Sequence, residues 1–288
     1  MVDVGSPRVT ARAGDAFRRP SAAERAARRL TAWVTTPAIR GALQRMYAGV
    51  LTIATRGRGL TSTLPGGEVV RVLPAFRFLT WNATEYDAFR AVVKPGMTAF
   101  DIGANVGSYT LLLAQWVGRE GHVYAFEPSA TPFEGLRRHV DINGVSAVAT
   151  PIASAVGATT GTLPFVVAST PGESRLAPAH GSAAATAVPV TTIDAFCARH
   201  GVTPDFIKVD VEGSELDVLR GARQTIARTA GRLALFVELH PSLWRERGIS
   251  RADVEEELDR LNLSVVGFEP HADPWTLEGV CVRLVPRH

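Results

Sequence analysis

Residues 98–110 read TAFDIGANVGSYT. The stretch splits into an apolar run, Thr98–Ile102, a glycine turn, Gly103–Gly107, and the start of an apolar-periodic segment that continues to Val117. A β-type run leading through a glycine turn into a helix opens a βα unit. Glycines in such a turn let the backbone pass close over a ligand at a helix N-terminus.

Downstream, the pattern repeats. His122–Phe126 is a second strand. Thr131-Pro132-Phe133-Glu134 offers an N-cap, a first-turn proline and a capping-box acid. The helix that follows ends near Asn143-Gly144. Val148–Ile152 is a third strand. Residues 157–190, dense in Gly and Pro, break the rhythm as an insertion made of a hairpin around Leu163–Val167 plus a loop. Thr191–Asp194 opens a short helix ending at His200-Gly201. Phe206–Val211 is the fourth strand, and Ser214 with Asp217 caps the next helix. Leu233–Leu239 is the fifth strand, followed by a helix opened by Ser250 and Asp253. Leu263–Phe268 and Val280–Val285 form a closing antiparallel pair. The sum is an α/β fold: a doubly wound, mostly parallel, Rossmann-like sheet of seven strands with a C-terminal antiparallel hairpin. In such sheets ligands bind outside the carboxyl ends of the strands, where strand order reverses.

Upstream, residues 1–80 form an extension. An Arg-rich arm precedes a helical stretch over 21–55, interrupted at Pro37, and turn signals over 57–79 predict a hairpin. The domain proper is 81–288, with the insertion at 157–190. The net charge of +3 is unevenly spread: residues 1–60 hold 11 arginines against 3 acidic groups. The basic amphipathic helix suits a partner or membrane surface. The acidic balance of the remainder argues against a nucleic-acid-binding body. Two cysteines cannot build a disulfide framework, which suits a reducing, cytoplasmic setting. No apolar run reaches the length of a transmembrane helix.

Chemistry-bearing residues collect at the predicted strand ends. Asp101 closes the first strand, where an acid suits a cationic ligand better than a pyrophosphate. Asn105 stands where the dinucleotide fingerprint has its second glycine, which weakens a nicotinamide reading. Glu127 ends the second strand, placed to accept hydrogen bonds from ribose hydroxyls. Lys208, Asp210 and Glu212 alternate onto one face of the fourth strand, as Glu238 and His240 do on the fifth. His240 has the ordinary titration range of a general base, with Asp210 the second choice. Asp210, Glu212, Glu238 and His240 could instead hold a divalent ion through oxygen and imidazole donors, although no metal is expected.

Four blocks in order, DIGANVGSYT, YAFEPS, IKVDVEGSELDVLRGA and VELHPSLW, resemble the FkbM-type methyltransferases over about Glu85 to Phe268. The resemblance implies a class I methyltransferase fold and S-adenosylmethionine as cofactor. It implies that Asp101, Gly103, Ala104, Asn105, Val106 and Gly107 wrap the methionine part. Glu127, with Pro128 beside it, would bind the ribose, and Ala153 and Ser154 would flank the adenine. Asp210 would lie near methyl transfer, and Glu85 would reach the cofactor's amino end. The family mostly methylates hydroxyl oxygens, so a small-molecule hydroxyl is the expected acceptor. A nitrogen or macromolecular acceptor, an NAD-dependent oxidoreductase and a non-catalytic binding protein are the rival readings.

Overall fold

The computed structural model describes residues 37–77, 79–166, 175–176, 185–229, 231–268 and 273–287. Strands β1 (Leu60–Thr63) and β2 (Val69–Val72) pair antiparallel, the hairpin expected around Pro65-Gly66-Gly67. Helix α1 (Pro37–Ala54) precedes it, and α2 (Ala83–Val92) follows. The part of the expected helix before Pro37 lies outside the described residues.

The main sheet has seven strands. β3 (Thr98–Ile102), β4 (His122–Phe126) and β5 (Ala149–Ile152) run outward to one side. β6 (Ala155–Val156), just before the expected insertion, joins β7 (Gly161–Val166), β8 (Arg175–Leu176) and β9 (Ala185–Thr191) in a separate four-stranded sheet, more than the hairpin and loop expected there. β10 (Phe206–Val209), β11 (Ala234–Leu239), β12 (Leu263–Gly267) and β13 (Val280–Pro286) complete the main sheet in the order β12-β13-β11-β10-β3-β4-β5. The five central strands are parallel, and β13 runs antiparallel to both its neighbours. Strand order therefore reverses between β3 and β10.

Helices cover both faces. α3 (Ser108–Val117) and α4 (Ala130–Ile142) pack with α2 on one. α5 (Ile193–His200), α6 (Glu215–Arg220), α7 (Arg223–Thr229), α8 (Pro241–Glu246) and α9 (Arg251–Arg260) follow the later strands. Alternation along the strands sorts the core. Ala99, Phe206 and Phe236 join the α2–α3 side, where Phe89 meets Phe236 at a centroid distance of 4.8 Å. Phe100, Ile102, Ile207 and Val209 join the other, with Phe196 at 4.9 Å from Phe126. The β1–β2 hairpin shares the first core through Val70 and Val72. Its Glu68 accepts hydrogen bonds from Tyr86 Oη at 2.6 Å and Trp116 Nε1 at 2.7 Å, which fastens the extension to α2 and α3.

Three local expectations are corrected. The helix after β4 starts at Ala130, and neither Thr131 nor the N-cap Ser129 gives a side-chain cap. Glu127 takes the Ser129 N–H instead, because the chain turns tightly enough for that carboxylate to reach back. Ser214 likewise makes no side-chain cap: Arg247 donates to its Oγ at 3.1 Å and to Asp217 Oδ2 at 2.7 Å. The fourth strand stops at Val209, two residues early, because Glu212 and Gly213 take positive φ of 51° and 90° and lift the chain out of the sheet. The capping box of Ser250 and Asp253 and the Thr192 cap form as read.

Candidate active site

The crevice lies at the carboxyl ends of β3, β4 and β10. One wall is built from backbone. Gly103 has φ of 81°, and a Cβ there would stand 1.7 Å from the Asp210 carbonyl oxygen. Only glycine permits this contact between the β3 turn and the end of β10. Asn105 has φ of 50°, a conformation that Asn tolerates better than most residues, so the second glycine of a dinucleotide loop is not needed. The Gly103 and Ala104 N–H groups donate to the Phe126 carbonyl at 3.0 and 2.9 Å. Glu127 is buried and held at both oxygens: Asn105 N donates to Oε2 at 3.0 Å and Ser129 N to Oε1 at 2.7 Å. Burial raises its pKa, and these N–H donors offset part of the rise. Each oxygen keeps a lone pair for a further donor.

The crevice measures about 710 Å³ out to its mouth and is lined by Gly103, Asn105, Glu127, Pro128, Ser154 and Asp210, among others. Phe126, Val156 and Phe165 give it apolar surface, the last from the insertion sheet. The remaining expected contacts lie elsewhere. Ala104, Val106 and Gly107 are buried within the turn and do not line the crevice, Ala153 is exposed, and Asp101 faces α3, where Thr110 Oγ1 donates to its Oδ2 at 2.5 Å. Asp101 Oδ1 is fully buried and has no partner. Such an orphan acceptor is costly as an ionised oxygen, and burial accordingly raises the Asp101 pKa, partly offset by Lys208 and the Thr110 bond.

The second wall presents Asp210 and Glu212 to the crevice, and a cluster of charged side chains, Lys208, Glu215, Glu238 and His240, stands next to them outside the lining. Lys208, buried in the sheet, pairs with Asp210 at 2.9 Å. His240 ends β11; its Nδ1 donates to Glu215 Oε1 at 2.8 Å, while Nε2 lies 3.5 Å from Glu212 and 3.7 Å from Glu238. Burial alone would lower the His240 pKa. The Glu215 bond and the charges of Glu215, Glu212 and Asp210 outweigh burial and push it up to about 10. His240 is therefore an imidazolium at neutral pH in this arrangement. Asp210 is pushed up by burial but more strongly down by Lys208 and His240, so it stays ionised. Glu238 is raised by burial and by the Asp210 charge. Asp210, Glu212 and His240 each offer one donor atom, all within 4.8 Å of one another. A hard cation could sit there only after His240 gives up its proton.

Glu85 is buried on α2, its pKa raised by burial, and lines a second cavity with Asn82, Thr84, Phe268, Glu278 and Cys281. Glu238 lies between the two spaces, beside Gly279 on one side and His240 on the other.

Two supporting residues had no signal in the sequence. Glu215 accepts from His240, from Gly213 N at 2.9 Å and from Trp244 Nε1 at 2.6 Å, so one carboxylate orders the whole second wall. It falls in the first turn of α6, where an acid reads as a helix-terminus charge. His139 bonds the Val106 carbonyl through Nδ1 at 2.6 Å and accepts the Leu73 N–H at Nε2 at 2.9 Å. It ties the glycine turn to the hairpin, a contact made only by tertiary packing.

A family model described as the methyltransferase FkbM domain matches residues 101–271, more than half of the chain. No curated protein matches the sequence. Among solved structures, the methyltransferase FkbM from Methylobacillus flagellatus KT is 21% identical with a TM-score of 0.43 over 70% of this chain; the chain spans about half, 51%, of that protein's length. A SAM-dependent O-methyltransferase from Thermotoga maritima is 12% identical, TM-score 0.43, over 80% of this chain and 78% of its own. The Aeropyrum pernix fibrillarin with natively bound S-adenosyl-L-methionine is 15% identical, TM-score 0.39, over 78% and 93%. The match over 101–271 carries the assignment: the chain belongs to the FkbM methyltransferase domain family.

Proposed function

We propose that the chain is an S-adenosylmethionine-dependent methyltransferase acting on a hydroxyl group of a small molecule. The observation that carries the cofactor reading is Glu127. A buried carboxylate, oriented by two backbone N–H groups and lining the crevice at the strand-order switch, is suited to a pair of ribose hydroxyls. The excess of carboxylates beside the crevice, Asp210 and Glu212 in its lining and Glu238 near His240, suits a ligand that carries positive charge. When bound, S-adenosylmethionine supplies an electrophilic methyl group on a positively charged sulfur.

The chain's own part is positioning, water exclusion and one proton transfer. Gly103 and Asn105 shape the turn, and Ser154 and Pro128 close the crevice beside Glu127. The acceptor enters the second cavity, about 790 Å³ out to its mouth, whose apolar side includes Phe268 and Leu277 and whose polar side includes Glu85 and Glu278. His240 first gives its Nε2 proton to solvent: its high pKa comes from surrounding carboxylates, so positive charge entering the crevice weakens its hold on that proton. The freed Nε2 then takes the hydroxyl proton. Asp210 and Glu215 hold the resulting charge.

Calorimetric titration separates this reading from its rivals. S-adenosylhomocysteine should bind and NADH should not; binding of NADH alone would make the chain an oxidoreductase. Incubation with methyl-labelled cofactor and candidate acceptors, followed by product identification, then distinguishes an oxygen from a nitrogen or macromolecular target. His240→Gln should lower turnover by about 10²–10⁴-fold with S-adenosylhomocysteine affinity little changed. Equal loss in both would make His240 structural.

A further inference from the structure

We propose that the outer face of α1 lies on an anionic lipid bilayer. One side of this helix is partnered: Ala48 is buried, and Tyr47 lies 5.3 Å from the Arg77 guanidinium. The other side carries Ile39, Met46, Val50 and Ile53, which are 54%, 63%, 57% and 80% exposed. Their spacing places them along one stripe of an α-helix, and small residues, Ala42 and Gly49, fill the stripe between them. Apolar side chains of this size gathered on one exposed face mark a contact surface.

Charge selects the occupant. Between Glu24 and Glu68 the chain holds seven arginines and no acidic residue. Arg45, Arg56 and Arg58 are exposed on α1 and the turn that follows it. An apolar stripe bordered by arginine is what an interfacial helix presents to anionic headgroups. A second copy docked through the same face would bring two such arginine sets together without a carboxylate between them, which opposes a symmetric dimer. No helix among the described residues is long and apolar enough to cross a membrane, so α1 lies in the plane of the interface.

The test is co-sedimentation of the full chain with vesicles of phosphatidylcholine alone and of phosphatidylcholine with about one-third phosphatidylglycerol. The native chain should bind the anionic vesicles at least about tenfold more strongly, and added salt should weaken that binding. Val50→Asp with Ile53→Asp, and separately Arg45→Glu with Arg56→Glu, should each reduce it about tenfold while the far-ultraviolet circular dichroism stays native. Three results overturn the proposal: a native chain that stays in the supernatant with both vesicles, equal binding to both, or unchanged binding by both variants. A dimer in light scattering that Val50→Asp with Ile53→Asp splits, with no vesicle binding, would instead make the stripe a protein interface and also overturn it.

Discussion

The two walls of the crevice reach the same rigidity by opposite means. The β3–β4 wall is made of backbone: a glycine at positive φ, an asparagine in the left-handed region and N–H groups aimed at one carboxylate. The β10–β11 wall is backed by charged side chains, Lys208 and His240 among Asp210, Glu212 and Glu215, with Glu238 beside them at a pKa raised by burial. The first wall is a matter of shape and tolerates no added atom. The second is a matter of charge balance and responds to pH. The first suits an invariant nucleoside, while the second can change its protonation during a reaction.

The largest effect should come from breaking the backbone wall. Gly103→Ala meets both an unfavourable φ and the Asp210 carbonyl, so we expect a loss of about 4 kcal/mol or more in urea unfolding and no measurable nucleoside binding. A stable, nucleoside-binding variant would show that the β3–β10 contact is not needed.

Next comes the organiser of the charged wall. Glu215→Gln keeps the shape but removes the charge beside His240. The His240 pKa should fall from about 10 toward its ordinary value, read by NMR titration of the imidazole. The sign follows from the raised folded-state value: His240 stabilises the fold fully below the unfolded pKa of about 6.5, and that contribution is lost as pH rises toward about 10. Glu215→Gln should flatten this alkaline decline.

His139 predicts the opposite slope. Burial lowers its pKa, and its two bonds need the neutral ring. Its stabilisation is present above the ordinary histidine pKa and is lost as pH falls through the lowered one. His139→Phe should remove this acid sensitivity at a cost of about 1–3 kcal/mol for the Leu73 N–H left unpaired.

The smallest effect is expected for exposed ion pairs. Arg251 and Glu255 lie 2.7 Å apart on α9, both half-exposed. Glu255→Gln, which leaves the stacking of Arg251 on Trp275 in place, should change stability by about 0.5 kcal/mol or less. A larger loss would mean that charge matters beyond the buried wall.

The sheet was legible because its strands are short apolar runs bounded by glycine turns, and the parallel centre with an antiparallel last strand follows from connection lengths. Glu127, Asp210 and His240 were legible because each ends a strand, and strand ends are where the topology puts a ligand. Strand alternation holds only inside the strands: Lys208 lies within β10, but the expected alternation of Glu212 onto the same face fails because the strand ends at Val209 and Glu212 takes a positive φ of 51°. What sequence could not show was contact across elements. Glu215 looked like helix-terminus charge, and His139 looked like an ordinary helical residue, because their partners are 25 to 66 residues away in the chain. The charge state of His240 was hidden for the same reason: its free-residue pKa suggests a base, but Glu215, Glu212 and Asp210 make it an acid until the site is filled. The caps expected at Thr131 and Ser214 do not form, because the first helix already begins at Ala130, ahead of Thr131, and Arg247 takes the Ser214 hydroxyl and the Asp217 carboxylate.

The most direct measurement is isothermal titration of the full chain with S-adenosylhomocysteine, repeated with Glu127→Ala. The account predicts saturable binding at one site that weakens at least about tenfold in the variant, since a hydrogen-bonding carboxylate is lost from the ribose. No binding by the native chain, or equal affinity in both, would contradict it.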